Sequence, residues 1–68
     1  MIKIVSMKLD PTTKTVEAEL FSDTKGEVTS QAEIEGLPKD YTIAFGSSVM
    51  TASAEVAFMK SDGTWKWV

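Results

Sequence analysis

The sequence predicts an all-β fold, a small antiparallel sandwich or barrel of five to six short strands ending in a tight β-hairpin. Three observations carry that expectation. Valine, isoleucine, threonine and aromatic residues recur in short runs, the residue types that suit a pleated surface. Turn chemistry interrupts the runs every ~8–12 residues, as in small all-β domains. Several runs also alternate apolar with polar residues, the period of a strand with one face in water. With 68 residues the chain has room for one domain, spanning residues 1–68, since domains run to about 50–250 residues.

The first run, Ile2 to Leu9, ends at Asp10-Pro11-Thr12-Thr13. There proline presets the φ of a type I turn and Asp10 can bond back to the backbone. The run is apolar on both sides, with Ile2 and Ile4 pointing one way and Val5, Met7 and Leu9 the other. The second run, Thr15 to Ser22, places Val16, Ala18 and Leu20 opposite Glu17, Glu19 and Phe21. Ser22-Asp23-Thr24-Lys25-Gly26 reads as a hairpin loop, and Glu27 to Glu35 as a third strand completing a meander.

Gly36-Leu37-Pro38-Lys39-Asp40 breaks the pattern before a short strand, Tyr41 to Phe45, and a corner at Gly46-Ser47-Ser48. Val49 to Ala54 fits either an extended segment or one helical turn capped by serine; the extended reading is preferred. Ala54 to Ser61 and Thr64 to Val68 flank Asp62-Gly63, a strong hairpin signal. Two registers compete. A two-residue loop pairs Lys60 with Trp65 and Phe58 with Trp67, gathering Val56, Phe58 and both tryptophans on one face. A glycine bulge after a type I turn moves both tryptophans to the face of Ala57 and Met59. The first separates apolar from polar residues more cleanly and is preferred.

Composition narrows the function. There is no cysteine, no histidine and no arginine. Thiolate metal sites, the commonest general base and bidentate clamps on phosphate are therefore out of reach. Ten acids against seven scattered lysines give a net charge of −3, so no nucleic-acid partner is expected. No run nears the ~18 apolar residues of a membrane span, and Met1 to Ser6 lacks the apolar stretch of a signal peptide. Cytoplasmic synthesis is expected.

Ser22-Asp23-Thr24-Lys25 matches the Ser-x-x-Lys spacing of penicillin-recognising enzymes, but on this reading it lies in a turn. Glu17 with Glu19 and Glu33 with Glu35 are spaced as any water-facing strand would space them, and the oxygen-rich calcium-loop pattern is absent. The glycines at 26, 36, 46 and 63 are dispersed among turns rather than gathered in a phosphate loop. No catalytic, cofactor-binding or metal-ligating residues are expected, and no cofactor. The candidate interaction residues are Phe21, Tyr41, Met59, Trp65 and Trp67, aromatic or flexible apolar groups suited to contact. Apolar residues on second faces suggest a sheet covered by another layer or another subunit.

Leu37-Pro38, Gly46-Ser47-Ser48, Glu55-Val56-Ala57-Phe58-Met59 and Ser61-Asp62-Gly63-Thr64-Trp65 form an ordered set in the C-terminal half. It resembles the small accessory proteins encoded among the structural genes of tailed bacteriophages and prophages. Their pattern is a Leu-Pro loop, a Gly-Ser corner, a strand with Val-Tyr or Val-Phe, and a terminal Asp-Gly-x-Trp hairpin. Phe58 stands near where a tyrosine is more usual. The resemblance implies a role in or on a virus particle, such as head decoration, fibre attachment or tail assembly, and implies no catalytic residues. The expected function is a non-enzymatic structural or protein-interaction module that binds a protein partner or self-associates as a homo-oligomer, in the cytoplasm or the virion. The alternative is a small ligand-binding module whose aromatic residues stack on a carbohydrate or peptide.

Overall fold

A computed structural model describes all 68 residues. It is mostly β, as expected, but forms one open, mixed sheet of seven strands rather than a sandwich or barrel. The strands are β1 (Ile2–Asp10), β2 (Thr15–Ser22), β3 (Ile34–Glu35), β4 (Thr42–Ile43), β5 (Ser48–Thr51), β6 (Val56–Met59) and β7 (Trp65–Trp67). One short helix, α1 (Lys25–Thr29), lies between β2 and β3. Across the sheet the order is β3-β1-β2-β5-β6-β7, with β4 paired to β2 ahead of β5.

The β1–β2 hairpin follows the predicted turn, with Asp10 Oδ1 accepting from the Thr12 and Thr13 N–H groups at 3.0 and 3.3 Å. One irregularity changes its meaning. Ile4 pairs with Leu20 but Ser6 with Glu19, leaving Val5 as an extra residue. This bulge shifts the phase of the strand, so Ile4, Met7 and Leu9 pair with Leu20, Ala18 and Val16 on one face. The two-sided apolar pattern of β1 is thus largely rephased onto a single face, and Val5 is left exposed.

The expected hairpin loop at 22–26 and the third strand over 27–35 are replaced by α1 and its caps. Thr24 is the N-cap, extended at φ −137°, and its hydroxyl accepts from the Glu27 N–H at 3.3 Å. The helix stops in a Schellman arrangement. Gln31 adopts φ 56°, its N–H bonds the Val28 carbonyl at 3.1 Å, and the Ala32 N–H bonds the Glu27 carbonyl at 2.9 Å. Only Ile34–Glu35 remain extended, parallel to β1. Alternation misled here because Val28, Ala32 and Ile34 are also compatible with a short helix and turn folded over a sheet, and local capping decided between them.

The chain then crosses to the other side of β2, where β4 and β5 pair parallel to it. Parallel pairing needs a crossover of about a dozen residues or more; α1, β3 and the 36–41 loop supply it, so no meander forms. The expected strand Tyr41 to Phe45 shortens to Thr42–Ile43. Within Val49 to Ala54 the backbone is extended through Thr51 and then turns. Between β4 and β5 the Gly46-Ser47 corner lifts the backbone off β2, and Ser47 repairs the gap. Its buried Oγ accepts from the Ala18 N–H at 2.9 Å.

The final hairpin takes the register not preferred from sequence. Met59 pairs with Trp65 and Ala57 with Trp67. Gly63 sits at φ 86°, with its N–H on the Lys60 carbonyl at 3.0 Å and the Lys60 N–H on the Thr64 carbonyl at 2.7 Å. The loop is therefore a type I turn closed by a left-handed residue. Asp62 anchors it, accepting at one oxygen from the Thr64 N–H (3.0 Å) and hydroxyl (2.6 Å).

Candidate functional site

Strand register divides the molecule into two faces. On the inner face one row runs Ile4, Leu20, Val49, Ala57, Trp67. Val16, Ala18, Leu20, Val49 and Ala57 are almost fully buried there, with Val28 of α1 over them. On the outer face the corresponding row runs Lys3, Phe21, Met50, Val56, and the next runs Ser6, Glu19, Ser48, Phe58, Lys66. No element of the chain covers this side. Met50 and Phe58 are about half exposed, at 49% and 48%, and Phe21 and Val56 are partly buried beside them.

The five sequence-predicted interaction residues are therefore not one patch. Phe21 alone lies on the outer face. Met59 is buried on the inner face, and Tyr41, Trp65 and Trp67 pack against the core cluster. The Lys14 ammonium sits 5.4 Å from the Tyr41 ring centre and the Lys25 ammonium 4.8 Å from that of Trp67. Lys25 also approaches Glu55 at 4.0 Å, so α1 and β7 are clasped together. A sugar ring could stack on that side of Trp67 only by displacing the lysine. Sequence reasoning missed Met50 and Phe58 as partners of Phe21. The signal that finds them is the parallel β2–β5 pairing, which no local pattern encodes.

The Ser22 and Lys25 side chains point to different partners. Ser22 is buried, its Oγ lying 2.8 Å from the Thr24 carbonyl and 2.6 Å from a Glu27 carboxylate oxygen. The Met1 ammonium bonds the same Glu27 carboxylate and lies 3.3 Å from Asp23. The ammonium and then the Ser22 hydroxyl hold the Glu27 carboxyl below the ordinary glutamate range, and Glu27 in turn raises the Met1 ammonium. Bonds from Thr64 lower Asp62 in the same way. These are structural ties at a strand end and a turn. No helix is long and apolar enough to cross a membrane.

A cavity of about 360 Å³ opens on the inner side, between the α1–β3 segment and the Asp62-Gly63 hairpin. Leu20, Val49 and Ile2 line it, Trp65 and Met59 line it from the hairpin strands, and no charged side chain enters it. Comparison with protein-family models, curated proteins and solved structures finds no match to this chain.

Proposed function

We propose that the chain is a non-enzymatic contact module that packs its uncovered sheet face against protein, first of all against a second copy of itself. The observation that carries this is the cluster of Phe21, Met50, Val56 and Phe58 on a face no part of the chain covers. Burying half-exposed aromatic and thioether groups releases about 25 cal/mol per Å² of apolar surface, and such side chains are common anchors of contact surfaces. The patch is flanked by Lys3 and Lys66 on one side and the other and by Glu19 in the adjoining row, with Lys8 beside Glu17 beyond. A rim carrying both signs is what a face-to-face pair of identical sheets needs, since each copy can set lysine against the other's glutamate.

The chemistry of the chain agrees. With no imidazole, thiol or guanidinium, contact and shape are the means it has. The resemblance of the C-terminal half to virion accessory proteins supplies a setting in which repeated copies pack on a particle.

Sedimentation equilibrium over a wide concentration range tests the proposal. The wild-type chain is expected to exceed its monomer mass at high concentration, and Phe58→Lys to return it to monomer with its circular dichroism unchanged. A wild-type chain that stays monomeric near millimolar concentration removes self-association.

A further inference from the structure

We propose that the cavity between α1–β3 and the Asp62-Gly63 hairpin is a binding site for one small, uncharged, apolar molecule with an aromatic or branched-alkyl body. It lies on the opposite side of the sheet from the contact face, and the two proposals stand or fall separately.

Size comes first. The cavity holds about 360 Å³, within the ~300–1,000 Å³ range of small-molecule pockets, and a cavity of ~150 Å³ with apolar walls suffices to admit benzene. The walls come next. Ile2, Leu20, Val28 and Val49, each at most 3% exposed, form a closed floor in the packed core, and the apolar surface a ligand meets is that of the partly buried Ala32, Ile34, Ile43 and Trp65. Gln31, Thr42 and Gly63 are the exposed lining residues and mark the mouth.

Chemistry then selects the ligand. None of the ten carboxylates or seven ammonium groups lines the cavity, so a charged ligand would lose its hydration with no counter-charge to replace it. Apart from the Trp65 indole N–H, the polar groups on the lining side chains are the Gln31 amide and the Thr42 hydroxyl. Both stand at the mouth, where they suit a ligand with a single hydrogen-bonding group at one end. Trp65 offers the aromatic surface that an aromatic or branched-alkyl body packs against.

The test uses the neutral probe N-phenyl-1-naphthylamine, read by its own fluorescence and by energy transfer from tryptophan. Saturable binding of one probe per chain is expected. Ala32→Phe, which fills the cavity, and Thr42→Phe, which narrows its mouth, are each expected to weaken binding at least tenfold, with circular dichroism confirming the fold. Should Ala32→Phe unfold the chain, Thr42→Phe decides alone. Phe58→Lys on the outer face is expected to leave the affinity unchanged. Probe binding that does not saturate, that survives in the folded filled variants, or that is lost in Phe58→Lys overturns the proposal. So does equal affinity for the anionic probe 8-anilinonaphthalene-1-sulfonate.

Discussion

The inner and outer faces of the sheet are built from the same strands with the same alternation, yet one is a core and the other is bare. Leu20 is 3% exposed, while Phe58, two strands away on the other side, is 48% exposed. The difference lies in the crossover between β2 and β4, which passes over the inner side only. Burial is thus decided by where the connecting chain runs rather than by the hydrophobicity of the residue. A phenylalanine on the uncovered side remains available for contact.

The largest expected effect breaks the covered side. Leu20→Ala empties the middle of the inner row and should cost about 2–5 kcal/mol, read as a lower urea midpoint. Ser47→Ala comes next. It strands the buried Ala18 N–H beneath the Gly-Ser corner and should cost about 1–3 kcal/mol. The cover itself can be firmed. Gln31 ends α1 with a positive φ of 56°, so Gln31→Gly should raise stability by about 0.5–1 kcal/mol.

Acid should loosen the tie between the start of β1 and α1. The Glu27 carboxyl lies below its ordinary value in the folded chain. Its contribution is therefore complete above the unfolded carboxyl range and is lost as pH falls through the folded value. The raised Met1 ammonium acts in the opposite sense, contributing fully below its ordinary range and losing that contribution as pH rises through its folded value. Glu27→Gln should flatten the fall in Tm as pH drops below the ordinary carboxyl range. The smallest effect sharpens the contrast with Leu20. Phe58→Lys keeps an aliphatic stem on the sheet but sets a lysine opposite Lys66, and should cost the monomer no more than about 1 kcal/mol while abolishing association.

How far the sequence could be read depended on whether a signal was local. The turn at Asp10-Pro11 and the alternation of β2 were legible, because proline chemistry and a period of two act within a few residues. The two later hairpins show the limit. Both close the same way, with Thr51 N–H on Glu55 O and Ala54 N–H on Thr51 O in one, and the equivalent bonds from Lys60 and Gly63 in the other. Gly63 announced its loop, whereas Ala54 holds φ 64° without the residue type that would have revealed it. Thr24 and Glu27 are residue types that suit a helix start, but the expectation of a strand over 27–35 rested on the alternation of Val28, Ala32 and Ile34 alone. Of the candidate site, Phe21 was picked out, while Met50 and Phe58 needed the strand order.

Residue types and their spacing settled that this chain is mostly β, that it has no thiol, imidazole or guanidinium chemistry, and that it turns at Asp10-Pro11 and Asp62-Gly63. Those properties depend on single residues and their immediate neighbours. Strand order, the Val5 bulge, the tryptophan register and the choice of which face is covered came from the fold. Each depends on pairing between segments far apart in the chain, where several registers satisfy the same local pattern and the packing of the whole sheet selects one.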